Sequence, residues 1–246
     1  MESVLDSFIR AVRDLRAPRV LAVMLVPPLA AILVWLAAAW LFADDWARWV
    51  ADWIATSAWL AWVAKLGMTS VLVWASGIAA VVVLLPIMLV TAALAAEIVA
   101  MPVIVPWVAE RRYSGLQARR GGSVAGSALN AAGAIVVFAV LWAATLPLWF
   151  TGIGAVALPP VLFAYLNQRM FRYDALAEHA SADEYRRVLF RARGRLFLLG
   201  LLLAIVYYVP LVNLAAPVVS ALAFTHFCLG ELARLRLEQG RPTGDG

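Results

Sequence analysis

Four long stretches of the chain carry no charged residue, and arginine clusters separate most of them. Val20 to Ala43 runs for 24 residues, Leu66 to Ala96 for 31, Gly121 to Gln168 for 48 and Leu196 to Gly230 for 35. One helical crossing of a bilayer takes about 20 apolar residues, so each stretch is long enough to span. A soluble core has no use for such runs. The pattern predicts an all-α integral membrane protein.

The charges between the stretches set an expected topology. Arg10, Arg13, Arg16 and Arg19 precede the first stretch, and Arg111, Arg112, Arg119 and Arg120 follow the second. Arg169 to Arg195 hold a further cluster, and Arg234, Arg236 and Arg241 close the chain. Only the connection after the first stretch is acidic, with Asp44, Asp45 and Asp52. Basic ends stay in the cytoplasm, which makes that connection external and both termini cytoplasmic.

The first two stretches are then single crossings, whereas the third and fourth leave the cytoplasm and return, so each must be a hairpin. As one helix the third would be ~70 Å long. It is interrupted at Thr151-Gly152-Ile153-Gly154 and again at Pro159-Pro160, and the fourth at Pro210, Asn213 and Pro217. Limbs of the fourth are short for full crossings, which predicts a hairpin that penetrates part-way. Full and partial penetration both suit the third.

The segments read as follows: amphipathic helix 1–19, transmembrane helix 20–43, Trp-rich external connection 44–65, second transmembrane helix 66–96, cytoplasmic-side segment 97–123, broken hairpin 124–171, basic cytoplasmic-side helix 172–195, second broken hairpin 196–231 and polar tail 232–246. Val4, Leu5, Phe8, Ile9, Val12 and Leu15 form one stripe of the first helix, opposite Asp6, Arg10, Arg13 and Asp14. Ser3 with Asp6 and Ser181 with Glu184 have capping-box spacing. Both helices suit a membrane surface. Trp46, Trp49 and Trp53 recur on one face of the external connection, and tryptophan favours the headgroup boundary.

Composition agrees, with 65% hydrophobic and 14% charged residues against about 25% charged in soluble domains. The net charge of +5 is no nucleic-acid signal, because 19 of the 20 basic residues are arginines in segments bordering apolar runs, where topology and phospholipid headgroups account for them. Cys228 is alone and forms no disulfide or metal cluster. No HExxH, Walker loop, GxSxG or CxxC motif occurs, so neither enzyme nor cofactor is expected. His226, in an apolar helix, is expected to be packed and hydrogen-bonded, and His179 to be solvated. Glu97 has two readings, a headgroup carboxylate at a helix end or an ionisable functional group at membrane depth.

The hairpin breaks carry more. Thr151 to Gly154 and Pro210 to Leu214 occupy corresponding places in two successive hairpins, each followed by proline. Paired Gly/Pro-interrupted segments point to transporter binding regions, because a half-helix beginning inside the membrane aims backbone N–H groups and a positive dipole end at an anion. The alternative is that such residues only kink the helices.

Together with the amphipathic start leading into Leu15-Arg16-Ala17-Pro18 and Pro27, the segment Glu97 to Glu110 with Pro102, Tyr173-Asp174 and Glu178-His179, these features make the chain resemble the CysZ-like sulfate permeases of the etoposide-induced-protein group. The resemblance implies two long transmembrane helices with two partially penetrating hairpins, a bacterial inner membrane, homo-oligomers and sulfate entry. Members noted for sulfate binding carry an arginine pair where this chain has Leu21 and Ala22. The expected function is therefore an anion permease with sulfate as first substrate. Its candidate anion-binding residues are Arg16, Arg19, Gly152, Gly154 and Asn213, and its partners are membrane lipid and the anion, with no nucleic acid. The rival expectation is a non-transporting protein that organises lipid or assists other membrane proteins.

Overall fold

A computed structural model describes residues 4–57, 62, 87–88, 91–92, 95, 99–207, 209 and 215–240. Among these residues the chain is helical with no strand. Seven helices have defined bounds: α1 (Val4–Asp14), α2 (Pro18–Leu41), α3 (Ala43–Thr56), α4 (Val124–Trp149), α5 (Ile153–Ala177), α6 (Ala182–Val206) and α7 (Ala216–Glu238). Residues 99–112 are also helical. Most of the expected second transmembrane helix, Glu97 and the break from Pro210 to Leu214 lie outside the described residues.

Two compact units make up the chain, Met1–Met24 with Glu97–Gly246, and Leu25–Ala96. The larger is built around α7, which packs against α1, α5 and α6. Phe224, Phe227, Leu229 and Leu232 are wholly buried there with Leu196, Leu199 and Leu203 of α6 and Ala175 and Leu176 of α5. A helix apolar all round must be surrounded by protein or by lipid, and the larger unit contains both cases. The span-length window of α7 is 89% buried, whereas that of α4 is 6% buried. Leu129, Ile135, Val136 and Val140 leave α4 with a continuous exposed apolar surface, of the kind that faces lipid. α2, α4 and α7 are each long and apolar enough to cross a membrane.

Helix boundaries depart from the expected segments in two places. α5 runs without interruption through Pro159 and Pro160, so the first hairpin has one break, at Phe150 to Gly152, and not two. The expected basic helix 172–195 is not a separate element. Its first part completes α5, residues 178–181 turn, and the rest opens α6, which continues unbroken into the apolar stretch. Ser181 and Glu184 form the capping box at that start: the Glu184 amide donates to Ser181 Oγ and the Ser181 amide to Glu184 Oε2 at 2.9 Å. Close packing of α5 on α6 needs Gly200, where a Cβ would stand 2.7 Å from the Ala164 carbonyl oxygen.

The apolar stripe of α1 divides, and Val4, Phe8 and Leu15 pack against the core. Ser7, Ala11 and Asp14 turn inward, while Leu5, Ile9 and Val12 stay exposed. In the smaller unit, Trp35 Nε1 donates to Thr91 Oγ1 at 2.9 Å. Asp45 and Arg48 pair on α3, whose Trp49 and Trp53 are exposed.

Candidate anion-binding region

α1 ends at Asp14, three residues link it to α2, and Pro18 occupies the first helical position, where its missing N–H leaves no bond unmade. Arg16 and Arg19 stand on either side of that proline. Both are exposed, and neither makes a side-chain hydrogen bond or ion pair among the described residues. Arg19 borders a narrow crevice with Val20, Val23, Val103, Ile104 and Trp107, and the Arg111 guanidinium lies 5.5 Å from the centre of the Trp107 ring. Leu21 and Ala22 are exposed on the following turn.

The break between α4 and α5 is a tight turn. Gly152 has φ 73° and ψ −52°, and the Ile153 amide donates across it to the Thr151 carbonyl at 2.9 Å, a γ-turn with positive φ that suits glycine. The Gly154 amide donates to Thr151 Oγ1 at 3.1 Å, and the Gly152 amide to the Trp149 carbonyl at 3.4 Å. The amides expected to await an anion are thus bonded within the turn, the Gly152 one at long range. Arg16 with Arg19 and Gly152 with Gly154 form separate groups. The turn lies ~37 Å along α5 from the end that closes on residues 120–122, where the Arg120, Gly121 and Gly122 amides donate to the Glu178, Ala180 and Ala177 carbonyls. Asn213 lies outside the described residues.

Other polar side chains of the apolar stretches divide by position. Thr145 and Thr151 bond back to their own helix. Asn167, Gln168, Ser220, Thr225 and His226 are buried, and Asn167 Nδ2, Ser220 Oγ and His226 Nδ1 have no partner.

A buried ionic framework was not visible in the sequence pattern. His226 Nε2 lies 2.8 Å from Asp14 Oδ2, and Arg112 reaches the other carboxylate oxygen at 3.0 Å. Tyr113 donates its hydroxyl proton to the His226 carbonyl. Arg195 grips Glu231 through two bonds of 2.8 and 2.7 Å. Arg236, 1% exposed, pairs with Glu184 and also donates to the Gln117 and His179 carbonyls. Arg119 completes the cluster on Glu184 at 3.0 Å. Burial would raise the Glu184 carboxyl, but Arg236, the Ser181 amide and Arg119 outweigh it and hold it below its ordinary range. His179 is buried, not solvated; burial pushes its imidazole down, with Arg236 assisting against Glu178.

The expectation for His226 holds, since it is packed and bonded. Scarcity of acid was the signal that could have exposed the rest. Few carboxylates flank so many arginines, and a buried carboxylate must be paired. Asp14, Glu184 and Glu231 pair with Arg112, Arg119, Arg195 and Arg236, while Arg16 and Arg19 stay exposed.

Comparison with known proteins gives one finding. A family model described as "Sulfate transporter CysZ/Etoposide-induced protein 2.4" matches residues 7–217. No curated relative and no solved structure matches the chain.

Proposed function

Since the chain belongs to the family of the sulfate transporter CysZ and etoposide-induced protein 2.4, we propose that it is an anion permease of the bacterial inner membrane, with sulfate its first substrate. The family match over residues 7–217 carries this reading. The family resemblance supports a homo-oligomer, and the arginine distribution supports both termini in the cytoplasm. Transport is passive or uses an existing gradient.

Arg16 and Arg19 attract the anion at the cytoplasmic mouth. Arg19 stands three residues, ~4.5 Å of helix rise, before Ala22, so charge is displaced towards the basic end relative to an arginine pair at positions 21 and 22. At the hairpin breaks, Gly152 and Gly154 exchange their turn hydrogen bonds for bonds to the passing anion, and Asn213 contributes its amide. A second reading, a protein that organises lipid, is favoured by Leu21 and Ala22 and by the exposed tryptophans of α3.

Calorimetric titration of sulfate into the purified protein tests the mouth. The proposal expects saturable binding that weakens about a hundredfold in R16Q/R19Q, because each of the two charge-assisted contacts contributes roughly 1.5 kcal/mol. Equal binding by the double variant removes these arginines from the site. No binding by folded protein favours the second reading.

A further inference from the structure

A shallow, open depression lies between the start of α6 and the last turns of α7, lined by Arg186, Arg187, Phe190, Arg191 and Leu235. Arg191 is tied to Glu238, which also holds Arg234. Arg186 and Arg187 are exposed and have no hydrogen-bond or ion-pair partner among the described residues. Between them and the apolar part of α6 stands Phe190, 79% exposed, with the Arg193 guanidinium 5.7 Å from its ring centre.

The face that begins at Arg187 continues in register. At 3.6 residues per turn, Gly194, Leu198 and Ile205 return to the same side of α6, and all three are exposed. A Cβ at Gly194 would meet nothing within 4 Å, which leaves a gap between the basic and apolar parts of the stripe. Arg187 to Ile205 covers ~27 Å of helix, enough to run from the headgroups through one leaflet's half of the hydrocarbon core, about 15 Å.

We propose that this face is a binding site for an anionic phospholipid. The phosphate sits between Arg186 and Arg187, the glycerol region over Phe190, and an acyl chain follows Gly194, Leu198 and Ile205. Charge complementarity selects this occupant. Two unpaired guanidinium groups favour a lipid with net negative charge over a zwitterionic one, whose choline they repel, and the apolar stripe gives a chainless anion nothing to bind. The site stands independently of which anion the protein transports.

Native mass spectrometry of the purified protein in nonionic detergent, titrated with phosphatidylglycerol or phosphatidylcholine, reads the preference. Phosphatidylglycerol is expected to be retained at about tenfold lower concentration than phosphatidylcholine, given the strengthening each arginine supplies at an anionic surface. R186Q/R187Q levels the two lipids, and Gly194→Leu weakens both by filling the stripe. R13Q/R111Q, with equal loss of charge elsewhere, keeps the preference. Equal retention of both lipids by the wild-type protein overturns the proposal, as does a preference that survives R186Q/R187Q or is lost equally in R13Q/R111Q. Displacement of phosphatidylglycerol by millimolar inorganic phosphate also overturns it, assigning the depression to a free anion.

Discussion

Glu184 is the most heavily committed carboxylate of the described residues: it caps α6, holds Arg236 and receives Arg119. Removing its charge leaves a buried guanidinium uncompensated, and breaking such a pair costs about 3–5 kcal/mol. Glu184→Gln should therefore lower the melting temperature in detergent sharply, whereas Arg191→Gln, on an exposed pair, should barely change it. The pH response has two parts of the same sign. Glu184 is held below its ordinary 4.5, so its contribution is intact above that value and is lost as pH falls through the folded value. His179 is pushed below 6.5, so under acid the unfolded chain takes up a proton that the folded state resists. Thermal melts should show stability falling from about pH 6.5 downwards, and His179→Gln should remove the upper part of that fall. Gly152 is constrained by its backbone, not its surroundings: a Cβ at this position would have nothing within 4 Å, yet φ 73° strains any other residue. Gly152→Ala should cost about 1–3 kcal/mol without a steric clash, measurable as a lower melting temperature.

At the level of elements, what could be read from the sequence was what repeats along a helix. Charge-free runs gave the apolar helices, Ser181 and Glu184 gave the start of α6, and Thr151 to Gly154 gave the turn between α4 and α5. Pro159 and Pro160 misled because an X-Pro-Pro step in an apolar helix removes donors without forcing a turn, and α5 continues through them. The buried face of α1 was hidden for a different reason. The apolar stripe reads as membrane-facing, and Leu5, Ile9 and Val12 are exposed accordingly, but periodicity does not show that Ser7, Ala11 and Asp14 turn to the core. Asp14 then anchors α1 through His226 and Arg112. Asp14→Ala should free α1, and trypsin should cleave after Arg10 and Arg13 several-fold faster than in the wild-type protein, since opening costs less when a buried pair is lost.

At the scale of the molecule, the arginines differ in how they are held. Among the described residues, Arg112, Arg119, Arg195 and Arg236 pair with buried carboxylates around the core. Arg48, Arg191 and Arg234 pair at the surface, whereas Arg16, Arg19, Arg186 and Arg187 are exposed without an ion-pair partner among those residues. The sequence showed where arginines cluster but not how each is held, because pairing joins residues as distant as Asp14 and Arg112. Family membership sets this architecture among the sulfate transporter CysZ/etoposide-induced protein 2.4 proteins, and the permease function is the proposal that follows from it. The most direct test is uptake of labelled sulfate by proteoliposomes containing the purified protein, with chloride, phosphate and thiosulfate as competitors. Saturable uptake above empty liposomes, reduced in R16Q/R19Q, is the predicted result. Well-folded protein that admits no sulfate, with or without a gradient, would contradict the permease function.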